Sequence, residues 1–237
     1  MDDIRVEESQ GVVTIWLNAP ERRNAFGPGM MGRLADIIEQ LDEDDCRLIL
    51  VRGAGNSFCA GRALPAEGDR PADPEQRLAE ALRLATAMHR CRKPLVAIVE
   101  GYAIGVGLSL ALWCDFAIAE AGAQFSTPEV RLGFPPTMTA VTLLRRIPRP
   151  YALDFLLTGR RFDAEEALAA GVIRAVVPAG AMEAAIASLI AGFEKTDTGA
   201  TAAFKALLRE TESMGFEEAM AAAASTSLKA EATGAKS

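Results

Sequence analysis

The chain has 237 residues, half of them hydrophobic, and its formal net charge is −7 at neutral pH. A chain of this composition can bury a sizeable core, which argues against a disordered protein, and its acidic balance disfavours a protein that binds nucleic acid. Its longest apolar stretch, residues 103–113, is too short to cross a bilayer, which takes about 20 residues.

The first part of the chain predicts a β-hairpin, a helix and a buried strand. Residues 12–17 are rich in β-branched side chains and end at a turn, and residues 4–7 can pair with them across Gln10 and Gly11. Pro28 is expected to open a helix, because apolar residues then recur at helical spacing. Residues 48–51 form a continuous apolar run, as expected of a strand that is buried on both faces.

The middle of the chain predicts a loop, a helix and two further strands. Residues 63–75 are polar and rich in proline, so we expect a mobile loop or lid there. A helix over 74–89 follows, and Pro94 then introduces a strand over 95–99. The remaining features of this part are Gly101, Gly105 and Gly107, a short helix over 108–112 and a strand over 116–119.

The last hundred residues predict helices with one interrupting strand. This change of pattern predicts an α/β core over residues 1–180 and a helical C-terminal region over 181–237. The expected helices cover 138–146, 151–157, 164–170, 181–193, 200–210 and 216–231, and the expected strand covers 172–177.

Cysteine and histidine usage predicts no metal site. The four cysteines include no C-x-x-C pair, and the single histidine, His89, cannot complete a Cys/His zinc set. The acidic N-terminus lacks the apolar core of a signal peptide. We therefore expect a cytoplasmic protein with reduced thiols and no membrane association.

Three segments, residues 57–64, 93–109 and 123–133, have the composition of a site that stabilises negative charge. Two junctions that run from a strand into a turn or a helix leave backbone N–H groups unpaired, and together they can aim two donors at one oxygen. Gly61, Gly105 and Gly107 permit the close backbone approach that such a site needs. Glu129 could then move a proton at the carbon next to a thioester.

These residues resemble the crotonase, or enoyl-CoA hydratase/isomerase, family. The resemblance depends on an ordered set of motifs at family spacing over residues 4–180, no one of which is decisive alone. The motifs are Asn18-x-Pro20 with Arg23-Asn24-Ala25; Phe58-x-Ala60-Gly61; Lys93-Pro94 with Gly101-Tyr102-Ala103-x-Gly105-x-Gly107; Ala123-x-Phe125-x-x-Pro128-Glu129-x-x-Leu132-Gly133; and Leu157-Thr158-Gly159-Arg160 with Phe162-x-Ala164-x-x-Ala167 and Gly171.

The resemblance implies a ββα superhelix assembled as a trimer or a dimer of trimers through its C-terminal helices. It implies an acyl-CoA substrate and no separate cofactor, since coenzyme A enters as part of the thioester. The oxyanion hole would be the backbone N–H groups of Arg62 and Val106, and Glu129 would be the catalytic carboxylate. The implied coenzyme A contacts are Arg22 or Arg23 near the phosphates and Ala60 and Leu64 near the adenine, and Ala25, Gly61 and Ala63 complete the implied binding set.

Ser109 departs from the family pattern and bears on the reaction. Hydratases of the family have a second glutamate at this position, and a serine can hydrogen-bond a water but cannot act as a base near neutral pH. A single carboxylate suffices for a 1,3-proton shift, so Δ3→Δ2 enoyl-CoA isomerisation is favoured over hydration, with Glu129 and Ser109 as the candidate catalytic residues. A non-catalytic acyl-CoA-binding protein is the alternative of another class. A dinucleotide site is disfavoured, because Leu110 replaces the third glycine of that fingerprint.

Overall fold

The fold is known from a computed structural model that describes residues 2–63 and 73–232. In this described part, no helix combines the length and the apolar character needed to cross a membrane. The strands are β1 (Ile4–Ser9), β2 (Val12–Leu17), β3 (Leu48–Gly53), β4 (Leu95–Val99), β5 (Tyr102–Ile104), β6 (Phe116–Glu120), β7 (Gln124–Ser126), β8 (Arg161–Asp163) and β9 (Ala175–Val177). The helices are α1 (Met30–Glu43), α2 (Pro74–Arg90), α3 (Val106–Trp113), α4 (Thr137–Arg146), α5 (Arg149–Thr158), α6 (Ala164–Ala170), α7 (Met182–Phe193), α8 (Thr198–Thr211) and α9 (Phe216–Ala232), with 3₁₀ turns at Pro20–Arg22 and Pro128–Leu132.

Most predicted elements are confirmed, and the differences have local causes. The first helix begins at Met30 rather than at Pro28, because Gly29 has a left-handed backbone with φ of +71° that a helix cannot include. The strand predicted over 172–177 covers only its last three residues. Strands β5, β7 and β8 were not predicted, since three residues give no readable alternation. The loop or lid predicted over 63–75 lies mostly outside the described residues.

Six strands form the larger sheet, in the order β1, β2, β3, β4, β6, β9. The first pair is the predicted antiparallel hairpin, and every later pair is parallel. Strand β3 is buried along its whole length, as predicted for residues 48–51. The smaller sheet has the order β5, β7, β8, in which the first pair is parallel and the second antiparallel.

The larger sheet is covered on both faces, which explains its continuous apolar strands. On one face, side chains such as Val51 and Ala97 pack against α1, α2 and α3. On the other face, side chains such as Leu50 and Ile98 pack with Met182 of α7. The proposed boundary between a core ending at residue 180 and a helical region after it stays a prediction, although α7 contributes to the core of the sheet.

Helices α8 and α9 pack against each other, and a buried lysine anchors α8 to the core. The Lys205 ammonium donates to the Lys93 carbonyl at 2.7 Å and to the Asp115 carboxylate at 2.6 Å. Asp115 also accepts from the Leu95 N–H at 2.7 Å. Asp115 therefore anchors the start of β4 as well as α8. The predicted trimer or dimer of trimers stays a prediction, since the structure describes one chain.

Replacing Lys205 by Met is expected to loosen this anchor. Removing one partner of a buried ion pair costs about 3–5 kcal/mol, and we expect about 2–3 kcal/mol here because Asp115 keeps some access to water. The melting temperature should fall by roughly 5–10 °C for a chain of this size. Scanning calorimetry measures the change, and Lys195→Met at an exposed position is the matched control. Equal melting temperatures for the two variants would contradict an anchoring role.

Candidate active site

Segments that lie far apart in the chain meet beside the smaller sheet. Residues 59–63 run along β5, because the Cys59 N–H donates to the Tyr102 carbonyl at 2.8 Å and the Ile104 N–H donates to the Cys59 carbonyl at 3.0 Å. On the other side, the Phe26 N–H donates to the Gly61 carbonyl at 2.8 Å. Residues 59–63 therefore extend the smaller sheet by pairing in parallel with β5. Residues 23–26 extend it further by pairing in parallel with residues 59–63.

Glycines allow these backbones to approach each other closely. A methyl group on Gly107, in the first turn of α3, would lie 2.2 Å from the Cys59 carbonyl oxygen. One on Gly61 would lie 2.9 Å from the Ile104 carbonyl oxygen, and Gly61 has φ of +99°, which side chains disfavour. The prediction that Gly61 and Gly107 permit a close backbone approach is confirmed.

Two backbone N–H groups are left open where these segments meet. Val106 is the first residue of α3, so its N–H has no acceptor within the helix. Phe26 bonds to the residues on either side of Arg62, so the Arg62 N–H points away from Phe26, towards β5 and α3. Among the residues that the structure describes, neither N–H has an acceptor. This arrangement is suited to an oxygen that gains negative charge.

Glu129 lies in the 3₁₀ turn Pro128–Leu132 and faces the start of α3. A methyl group on Gly105 would lie 3.1 Å from Glu129 Oε1, so the carboxylate is in contact with the turn that leads into α3. Glu129 Oε2 is buried and has no hydrogen-bond partner in the described part of the chain. A buried carboxylate oxygen without a partner is costly, and such groups are found at sites that bind a ligand or move a proton.

The surroundings of Glu129 change its proton affinity. Burial raises the pKa of this carboxyl above the ordinary value for glutamate, because the charged form loses contact with water. Its own backbone N–H and the positive charge of Arg62 lower the pKa and offset part of this effect. The net direction is upward, which brings the group closer to the range in which a carboxylate can both take and return a proton.

Ser109 is fully buried, and its hydroxyl is engaged with the protein. Its Oγ lies 2.6 Å from Oγ1 of Thr139, which is also buried, and it can donate to the Gly105 carbonyl at 3.4 Å. A chain in which Thr139 donates to Ser109 and Ser109 donates to Gly105 uses both hydroxyl protons. Ser109 therefore ties α4 to the turn before α3, and its predicted role of holding a water stays a prediction.

The two arginines predicted at the coenzyme A phosphates have different surroundings. Arg22 donates to the Ala25 carbonyl at 2.9 Å and pairs with Asp3 at 2.9 Å, so its guanidinium is held within the protein. Arg23 forms no ion pair in residues 2–63 and 73–232, and its guanidinium carbon lies 5.1 Å from the centre of the Tyr102 ring. Of the two, Arg23 is the one left available to an anionic ligand.

The remaining predicted contacts lie along the same segment or outside the described residues. Ala60 and Ala63 are half-buried on either side of Gly61 and Arg62, and Ala25 is buried. The Ala60 N–H donates to the Arg23 carbonyl at 2.9 Å, which brings these two parts of the predicted contact surface together. Leu64, predicted near the adenine, lies outside the described residues.

Sequence reasoning missed two residues at this site. The hydroxyl of Thr139 contacts Ser109, yet 30 positions separate them in the chain and no motif contains both. Only the backbone of Arg62 was considered, whereas its side-chain charge acts on Glu129. An arginine directly after the Phe58-x-Ala60-Gly61 motif was the one feature in the sequence that could have indicated this.

Comparison with known proteins gives a consistent result over nearly the whole chain. The model of the family described as enoyl-CoA hydratase/isomerase matches residues 7–234. A putative enoyl-CoA hydratase of Thermus thermophilus is 34% identical over 229 residues, which cover 93% of this chain and 89% of that protein. A 1,2-epoxyphenylacetyl-CoA isomerase of Escherichia coli is 35% identical over 184 residues, covering 75% of this chain and 70% of that protein.

Solved structures agree with the sequence comparison. The crystal structure of an enoyl-CoA hydratase of Mycobacterium smegmatis superposes with a TM-score of 0.91 at 28% identity, covering 96% of this chain and 90% of that one. The two folds therefore agree over nearly the whole length of both chains.

Proposed function

Because the chain belongs to the enoyl-CoA hydratase/isomerase family, or crotonase family, we propose that it moves a proton on the acyl group of an acyl-CoA thioester. The observation that supports this most directly is the carboxylate of Glu129, which contacts the turn before α3 and keeps one buried oxygen without a partner. Glu129 would take a proton from the carbon next to the thioester. It would act as the single carboxylate, because Ser109 occupies the position at which hydratases of the family have a second glutamate.

The negative charge formed in this step would be held by main-chain donors. When Glu129 removes a proton, the electron pair moves onto the thioester oxygen and gives an enolate. The N–H groups of Arg62 and Val106, both open among the described residues, would donate to that oxygen. Donors that are already oriented stabilise the enolate without further rearrangement, and one such donor contributes about 3–4 kcal/mol in comparable sites.

We favour Δ3→Δ2 isomerisation as the overall reaction. Glu129 would remove a proton from C2 of a 3-enoyl ester, a dienolate would form, and the same carboxyl would return the proton to C4. The double bond moves from C3–C4 to C2–C3, and no atom is gained or lost. The engagement of Ser109 with Thr139 supports a single acting carboxylate, since the Ser109 proton is already used within the protein.

Hydration of a 2-enoyl ester is the second candidate. Curated relatives such as the Thermus thermophilus protein are named as hydratases, whereas the relative from Escherichia coli is named as an isomerase of another acyl-CoA. Water addition would require that Ser109 or Thr139 turn its hydroxyl towards a water that Glu129 activates. A protein that binds acyl-CoA without turnover is the candidate of another class.

Parallel turnover of a 3-enoyl-CoA and a 2-enoyl-CoA distinguishes these candidates. We expect the 3-enoyl ester to be converted to the 2-enoyl ester, with no hydroxyacyl-CoA formed, when the products are separated by chromatography. Accumulation of hydroxyacyl-CoA from the 2-enoyl ester would instead support hydration, and Ser109→Ala would then lower that rate. If acyl-CoA esters of all chain lengths in a panel bind but give no product, the chain would be a non-catalytic acyl-CoA-binding protein.

The rate should fall in acid at a higher pH than an ordinary glutamate would predict. Glu129 acts as a base only when ionised, and burial raises its pKa, so protonation begins above the usual glutamate value of about 4.3. As pH falls through that raised value, kcat/KM should decline tenfold per pH unit. Circular dichroism at each pH separates this loss from unfolding. An acid limb at or below the ordinary glutamate value would contradict a buried base.

We also propose Arg23, rather than Arg22, as a contact of the coenzyme A phosphates. Arginine suits phosphate because its planar guanidinium donates two parallel hydrogen bonds. The guanidinium N–H groups of Arg23 are available to a phosphate, whereas those of Arg22 bind Asp3 and the Ala25 carbonyl. If this proposal is right, Arg23→Ala weakens the binding of coenzyme A in calorimetric titration and leaves the binding of a pantetheine thioester unchanged.

A further inference from the structure

Asn24 is a buried polar residue whose side chain joins two segments that are distant in the chain. It follows the 3₁₀ turn Pro20–Arg22 and is fully buried. Its Nδ2 group donates to the Ser57 carbonyl at 2.6 Å and to the Ala54 carbonyl at 2.9 Å. Its Oδ1 atom accepts from the Ala19 N–H at 2.9 Å. Both N–H protons of the amide are therefore used within the protein.

These hydrogen bonds lie where the two segments that support the Arg62 N–H begin. Residues 23–26 contain Asn24 itself, and residues 59–63 follow closely after Ser57, whose carbonyl the Asn24 amide holds. The two segments then pair with each other through backbone hydrogen bonds of 2.8 to 2.9 Å. Because Arg62 lies within this pairing, the direction of its N–H depends on how the two segments are aligned.

The backbone at Asn24 has a conformation that few side chains favour. Its φ is +56° and that of Arg23 is +52°, and asparagine tolerates this left-handed region better than most residues. The fit around the amide is also tight, since a methyl group on Gly53 would lie 2.7 Å from Asn24 Nδ2 and 2.0 Å from the Ser57 carbonyl oxygen. Backbone strain of this kind persists where the surrounding structure holds it, and it is frequent at functional sites.

We propose that Asn24 is a positioning residue that aligns the Arg62 N–H with the Val106 N–H on one thioester oxygen. This role rests on the proposed function, in which these two N–H groups hold that oxygen. The close approach of Gly107 to Cys59 sets the position of α3, which carries Val106. Asn24 sets the position of the segment that carries Arg62. It acts through the backbone, because its amide is buried and its hydrogen bonds are all made to main-chain atoms.

The test compares the binding of an acyl-CoA thioester with that of its thioether analogue, in which a methylene replaces the carbonyl. Both probes carry the same coenzyme A part, so the ratio of their dissociation constants measures the hydrogen bonds to the carbonyl oxygen. Asn24→Gly keeps the left-handed backbone and removes the side chain. In calorimetric titration we expect its preference for the thioester to fall about fivefold, the effect of one lost hydrogen bond of ordinary net strength.

Infrared difference spectra of an isotope-labelled thioester give a second readout. Donors that are aligned on the carbonyl oxygen polarise the C=O bond and lower its stretching frequency. In Asn24→Gly this band should move back towards its position in solution. A loss of stability alone would leave the band of the bound thioester where it is in the wild type.

Asn24→Asp is the milder variant. A carboxyl that is buried beside two carbonyl oxygens takes up a proton, so it can accept from the Ala19 N–H and donate to one of the two carbonyls. Its preference for the thioester should lie between those of the wild type and Asn24→Gly. If Asn24→Gly does not fold, a wild-type preference in Asn24→Asp overturns the proposal.

Lys205→Met is the control for lost stability, since it removes the anchor of α8 and should keep the wild-type preference and the wild-type band. The proposal is overturned if Asn24→Gly keeps the wild-type preference, or if Lys205→Met lowers that preference as much as Asn24→Gly does. If the wild-type chain binds the thioester no more tightly than the thioether, the proposed oxyanion hole fails first. That result is known before any variant is compared.

Discussion

Glu129→Gln is expected to lower turnover by roughly 10³-fold while acyl-CoA binding persists, within the range that general acid–base catalysis contributes. Glutamine keeps the shape of the side chain and its contact with Gly105, but it cannot take a proton from the substrate. The measurement pairs kcat on a 3-enoyl-CoA with the Kd of a saturated acyl-CoA from calorimetric titration. Binding should change little, since the proposed coenzyme A contacts lie elsewhere, along residues 23–25 and 60–63.

The matched control for this prediction is Glu165→Gln on the exposed face of α6. This variant makes the same chemical change away from the site and should keep the wild-type rate. A Glu129→Gln variant that retained full turnover would show that another group moves the proton. Lost binding alongside lost turnover would instead mean that Glu129 holds the fold of the 3₁₀ turn.

Gly107→Ala should lower both stability and turnover, although alanine usually favours a helix over glycine by about 1 kcal/mol. The added methyl would lie 2.2 Å from the Cys59 carbonyl oxygen and 2.9 Å from Cys59 Cβ. A backbone oxygen cannot rotate away, so α3 and residues 59–63 must separate. Overpacking of this kind costs about 1–3 kcal/mol. A shift of about 1 Å between the Arg62 and Val106 donors can lower the rate by roughly 10²-fold.

Gly122→Ala provides the control with the same substitution. A methyl group there has no neighbour within 4 Å, so it should change the melting temperature and the rate little. Calorimetry and kcat/KM for both variants measure the two effects separately. If Gly107→Ala behaved like Gly122→Ala, the close approach of α3 to Cys59 would not be needed to align the two donors.

Much of the fold follows from short-range patterns in the sequence. The apolar runs of β3 and β4 and the helical spacing in α1 and α2 predict those elements because burial and periodicity are properties of neighbouring residues. The smaller sheet was missed for the same reason. Strands β5, β7 and β8 have three residues each, and they exist because distant segments supply their partners.

The residues of the candidate site also fall into two groups: those that short motifs predict, and those whose contacts depend on distant parts of the chain. Glu129, Gly61 and Gly107 belong to motifs of fixed spacing, so their types and positions point to a site that stabilises an enolate. The contact between Ser109 and Thr139 depends on how α4 packs against α3, and nothing in either segment alone indicates it. The difference in the surroundings of Arg22 and Arg23 likewise depends on Asp3 and Tyr102, which come from other parts of the chain.

The two donors proposed for the thioester oxygen belong to the main chain. The choice of acyl group, which depends on side chains, can therefore evolve independently of the stabilisation of the enolate. Mutation at Arg62 or Val106 exchanges a side chain but leaves the N–H, unless proline is introduced. The glycines that bring the segments together have no such freedom, because any side chain at Gly107 collides with Cys59. A lineage built on this frame can therefore drift in the acyl groups that it accepts while the stabilisation of the enolate is inherited unchanged.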